Sequence, residues 1–62
     1  MENKKASELV DEILILMDKI GNQMRGEGKG SNRRIATKAL YTLNKVNSSF
    51  TNMRKDLKNA GM

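Results

Sequence analysis

Sixty-two residues hold at most one small domain, near the lower limit at which a chain buries a core of its own. With no Cys and no His, neither a disulfide framework nor a conventional transition-metal site adds stability, and no cofactor is expected. The formal net charge of +5 favours a polyanionic partner.

That charge is unevenly divided. Residues 1–24 set Lys4, Lys5 and Lys19 against Glu2, Glu8, Asp11, Glu12 and Asp18, a net −2. Residues 25–62 set nine basic side chains against Glu27 and Asp56, a net +7. The acidic first part can neutralise the basic second part within one fold, or leave a basic surface for a partner.

No apolar run approaches the roughly 18–20 residues that cross a bilayer, and the opening "MENKKASE" lacks the apolar core of a secretory signal. The expectation is an intracellular chain with no membrane partner.

In chain order, the first element is a helix over about residues 7–24. Ala6, Val10, Ile13, Met17, Ile20 and Met24 recur at steps of four and three, the heptad pattern of a helix with one apolar seam. Ser7 is the expected N-cap, followed by Glu8, Asp11 and Glu12 in the early turns where the helix dipole favours acids. Asp11 and Glu12 are not a catalytic pair, because adjacent helix positions diverge and no second catalytic group accompanies them.

A Gly-rich turn follows at 25–31, "RGEGKGS", where glycines reverse the chain. It is not a nucleotide-binding loop. Gly21 and Gly26 have the spacing of GxxxxGK[ST], but Glu27 occupies the lysine position and no strand precedes it. No enzymatic activity is expected.

The second helix is predicted over about 32–60. Ala36, Ala39, Leu43, Val46, Phe50, Met53, Leu57 and Ala60 alternate steps of three and four without a break. Ser31 or Asn32 would cap its start, Lys58 suits its last turn and Gly61 its stop. The fold class is therefore all-α: an antiparallel two-helix hairpin, coiled-coil-like, forming a single domain over 1–62. Met17, Met24 and Met53 fall on the seam as gap-filling core side chains.

A hairpin with one seam buries little, so completion by a homo-oligomer or a larger assembly is expected. Leu9, Leu14, Leu16, Ile35 and Leu40 lie off the seam. They either serve that association or widen the core stripe.

On the second helix, Arg34, Lys38 and Lys45 fall within about 40° of one another opposite the seam, with Lys55 farther round. Tyr41, Ser48 and Asn52 share the stripe as donors for phosphate or sugar. Arg25, Lys29 and Arg33 add a second cluster at the turn, where helix N–H groups also receive anions. Arg34 to Lys55 spans about 31 Å, close to one duplex turn of about 34 Å. The candidate nucleic-acid-binding set is therefore Arg25, Lys29, Arg33, Arg34, Lys38, Tyr41, Lys45 and Lys55. With one Tyr and one Phe, there is no stacking platform or base-reading motif to separate DNA from RNA.

The run "GKGSNRRIATKALYTLNKVNSSFTNMRKDL" resembles the small linker-histone-like nucleoid proteins of the chlamydial type. Those proteins pass from an apolar N-terminal helix through a small-residue turn into a basic Arg/Lys-Ala-Leu helix. Arg34, Lys38, Ala39, Leu40, Leu43, Lys45, Arg54 and Lys55 stand where that pattern has them, while Thr37 replaces a further basic residue. The resemblance implies a nucleoid-associated protein that compacts duplex DNA without sequence preference. The competing expectation is a small structural component of a shell or virion, whose basic face meets acidic protein or enclosed genome.

Overall fold

The computed structural model describes residues 3–62; Met1 and Glu2, the latter counted in the acidic half, lie outside them. The chain forms two helices, α1 (Ala6–Glu27) and α2 (Arg33–Asn59), with a short 3-10 turn at Gly30–Asn32 between them. They pack antiparallel as a hairpin, and no strand occurs among the described residues.

Both ends of α1 differ from the sequence expectation. Ser7 is inside the helix and buried rather than capping it. The cap position is Lys5, whose N–H donates to the Glu8 carboxylate at 3.1 Å. Lys4 pairs with Glu12 across the first turns. Its pKa is raised by the hydrogen bond to Glu12 and then by that carboxylate's charge. Ser7 is free to enter the helix because its N–H donates instead to the Met62 carbonyl at 3.1 Å, so the end of α2 caps the start of α1.

At the other end, α1 continues through Arg25, Gly26 and Glu27, which the glycine count places in the turn. Local side-chain bonds sustain that extra turn: Gln23 donates to Glu27, and Arg25 donates to Asn22 at 2.9 Å. The helix stops where Gly28 donates to the Met24 carbonyl at 2.8 Å. Gly30, at φ +60°, then turns the chain into the 3-10 turn. That turn runs straight into α2, so neither Ser31 nor Asn32 caps α2 through its side chain. The expected stop at Gly61 is present: φ is +75°, with Met62 N–H donating to Leu57 O and Gly61 N–H to Lys58 O. This is a Schellman end, which glycine adopts without steric cost.

The seam keeps the heptad period but not the expected phase. Along α1, Ser7, Val10, Leu14, Met17, Gly21 and Met24 turn toward α2, while Ile13 and Ile20 remain 39% and 40% exposed. Along α2, Ala36, Leu40, Leu43, Asn47, Phe50, Arg54 and Leu57 turn inward, while Val46 and Met53 remain 39% and 44% exposed. Small residues lie at two levels where the helices meet. A Cβ on Gly21 would make ordinary contact with a Leu43 methyl at 3.6 Å, whereas one on Gly28, just past α1, would overlap the Ala36 methyl. The close approach is therefore between Gly28 and Ala36, beside the turn. An ion pair between Arg54 and Asp11 borders the seam on one side.

The result is a slab of 46 × 25 × 10 Å with a Cα radius of gyration of 14.5 Å. A compact globule of this length would have about 10.5 Å. Among the described residues, the buried hydrophobic side chains are Val10, Met17 and Ala36, and no large side chain is fully enclosed.

Candidate nucleic-acid interface

Arg25 of the expected set, and Arg54, which enters only through the histone-like resemblance, are engaged elsewhere. Arg25 lies on α1, bonded to Asn22, and borders a small polar hollow with Asp18, Asn44 and Asn47. Arg54, on the seam, is paired with Asp11. Both belong to the polar broad face of the slab.

Of the remaining expected cations, all but Lys29 lie on α2, exposed to solvent. Arg33, Arg34, Lys38 and Tyr41 line one open hollow of about 680 Å³, floored by Gly30 and Ser31 of the turn and by Thr37. One helical turn beyond, the Lys45 ammonium lies 4.5 Å from the centre of the Tyr41 ring. The spacing of these two residues puts them on one helix face, and the ring quadrupole attracts the cation. The ring and its neighbours thus form a continuous ridge: Arg34, Lys38, Tyr41, Lys45. All are solvent-exposed.

Lys29, immediately before Gly30, is exposed in the turn, Lys55 is exposed farther along α2, and neither borders the hollow.

Among the described residues the ion pairs are Lys4–Glu12 and Arg54–Asp11, so none of the ridge cations is neutralised by a carboxylate. The sequence between Glu27 and Asp56 contains no acid at all. Arg33 and Arg34 occupy the first turn of α2, where cations oppose the helix dipole and no acidic residue offsets them. An anion in the hollow would relieve that opposition and receive both guanidinium donors.

The donors expected between the cations are fewer than the stripe implies. Ser48 spends its hydroxyl proton on the Asn44 carbonyl at 3.2 Å, as do Thr37 on Arg33 at 2.8 Å and Thr42 on Lys38 at 3.2 Å. Such bonds let hydroxyl residues sit mid-helix. The donors left on this stripe among the described residues are the guanidinium and ammonium groups, the Tyr41 hydroxyl and the Asn52 amide.

Sequence reasoning missed the hollow itself, because the floor depends on Gly30 taking positive φ and on a 3-10 turn that composition does not signal. No group of three or more potential metal ligands clusters among the described residues, and no helix there is long and apolar enough to cross a membrane.

No protein-family model, curated protein or solved structure matches this chain. Any functional reading therefore stands on the residues themselves.

Proposed function

We propose that this chain is a non-enzymatic, sequence-nonspecific nucleic-acid-binding protein of the histone-like kind, which holds duplex DNA by its backbone along the outward side of α2. The observation that carries the reading is the unneutralised ridge of Arg33, Arg34, Lys38 and Lys45, gathered around Tyr41 and an open hollow at the start of α2. Guanidinium and ammonium groups on a rigid helix suit phosphates spaced along a duplex. Nothing on the ridge presents a paired donor and acceptor aimed at base edges, so sequence matters little.

The resemblance to chlamydial-type histone-like proteins supports the same reading, since Arg34, Lys38 and Lys45 are shared with that pattern and lie on the ridge. A nucleoid-associated location follows from it. Anisotropy of a labelled duplex of arbitrary sequence, titrated with the protein at rising salt, tests the proposal. With Arg33, Arg34, Lys38, Lys45 and Lys55 each meeting a phosphate, log affinity falls against log salt with a slope of about −4 to −5. Absence of binding at low salt removes the reading.

A second reading draws on the broad apolar face of the slab. In it, the chain is a structural component of a shell or virion, with the ridge directed at acidic protein or enclosed genome.

A further inference from the structure

The seam's phase leaves a consequence on one broad face. Ile13, Leu16 and Ile20 of α1 and Ala39, Val46 and Phe50 of α2 line a shallow groove of about 490 Å³. Leu9 at 48% exposure and Met53 at 44% extend it in opposite directions. Of the residues expected to form a second apolar surface, Leu9 and Leu16 belong to it, whereas Leu14 and Leu40 turn into the seam. The opposite face carries Asp11, Asp18, Arg25, Asn44, Asn47 and Arg54 and is polar.

The accessible surface is 5185 Å² for a 7.0 kDa chain, about 1,100 Å² more than a compact monomer of that mass exposes. That excess is on the scale of the roughly 800 Å² per partner that a stable interface buries. A slab 46 by 25 Å across has room for it on one face.

We infer that this face is covered by the same face of a second copy, forming an antiparallel four-helix bundle in which α1 of each copy lies on α2 of the other. Charge selects this pairing. α1 carries five acidic and two basic side chains, a net −3, and α2 seven basic and one acidic, a net +6. Laying α1 on α2 of the partner brings a helix of net −3 beside one of net +6, whereas laying α2 on α2 brings two helices of net +6 together. The two-fold axis then runs parallel to the helices, and every neighbouring pair in the bundle is antiparallel. Arg34, Tyr41 and Lys45 stay outside the interface, on opposite edges of the bundle, so the inference holds whether or not the ridge binds nucleic acid.

Register within one copy sets the level of contacts between copies, because this two-fold leaves heights along the bundle unchanged. Asp11 meets Arg54 and Gly21 meets Leu43, so Leu16 stands at the level of Ser49, both at the rim of the apolar face. The cysteine-free chain allows single thiols to read the arrangement. A Leu16→Cys chain mixed with a Ser49→Cys chain, at equal amounts under mild oxidation and without nucleic acid, should give chiefly the mixed disulfide. Leu16→Cys alone should give little dimer.

Light scattering of the unaltered chain should report twice the 7.0 kDa chain mass. Ile20→Glu, at the centre of the face, should shift the mass to that of one chain at micromolar concentration. Ile15→Glu, 61% exposed on the other side of α1, should leave the doubled mass intact. A single-chain mass for the unaltered protein across its concentration range overturns the inference. So does efficient disulfide formation by Leu16→Cys alone, which would place α1 on α1. If Ile20→Glu loses its helical signal along with its mass, the thiol pair still decides the matter, since neither cysteine removes a buried side chain.

Discussion

Gly28 and Ala36 meet so closely across the turn that a Cβ on Gly28 would overlap the Ala36 methyl and press on the Met24 carbonyl. The turn depends on this approach, since Gly28 also donates the hydrogen bond that ends α1. Gly28→Ala should therefore cost about 1–3 kcal/mol by forcing the helices apart at that level. Gly26→Ala should do the opposite. Gly26 lies within α1 with nothing near its missing Cβ, and alanine there should add about 0.5–1 kcal/mol through helix propensity. Urea unfolding of the two variants, followed by circular dichroism, checks both signs in one experiment.

Asp11 and Arg54 form the one ion pair that ties α1 to α2 among the described residues, with 38% and 36% of their side chains exposed. Partial exposure limits its worth, and a double-mutant cycle with Asp11→Asn and Arg54→Gln should return a coupling of about 0.5–1 kcal/mol. The coupling should shrink toward zero at molar salt, where the screening length falls to about 3 Å. A coupling unchanged by salt would mean that the pair acts through packing instead.

The helices and their reversal were legible because steps of three and four repeat from residue 6 to 24 and again from 36 to 60, with the Gly-rich turn between the two runs. The phase was not. On α1, the sets 6/10/13/17/20/24 and 7/10/14/17/21/24 share Val10, Met17 and Met24, and apolar area favours the first. The chain uses the second, burying Ser7 and Gly21 and leaving Ile13 and Ile20 about two-fifths exposed. Hydrophobic periodicity weighs area removed from water and is blind to which of two overlapping faces meets the neighbouring helix. On α2 the same blindness hides Arg54, a seam position that reads as a surface charge until Asp11 is seen beside it. The cationic stripe was legible from helical geometry alone. Its hollow was not, since it depends on the backbone of Gly30.

Gly61 holds φ at +75° to close α2 and to bring the Met62 carbonyl onto the Ser7 N–H. Replacing it by alanine should cost about 1 kcal/mol, the usual cost of one L residue in the left-handed region. The loss should register at both ends of the hairpin. Amide exchange at Ser7 should speed up in Gly61→Ala together with exchange at Met62, whereas exchange at Met17 should change only by the global destabilisation.

The ridge makes the strongest functional prediction, because its cations can be removed without touching the seam. Arg34, Lys38 and Lys45 are exposed and unpaired among the described residues, so changing all three to Ala should preserve helicity, alanine being the best helix former. Duplex binding should weaken, and the salt slope should flatten by about 2.7, the share of three phosphates. Arg25→Ala should change the slope little, since Arg25 is held by Asn22 on another face. Met17→Ala supplies the contrast: it removes a side chain only 6% exposed and should cost about 2–3 kcal/mol of stability. Under conditions where that variant remains folded, its salt slope should match the unaltered chain. If the triple-Ala protein keeps both affinity and slope, phosphate contact does not run through this ridge, and the basic side of α2 is directed at protein.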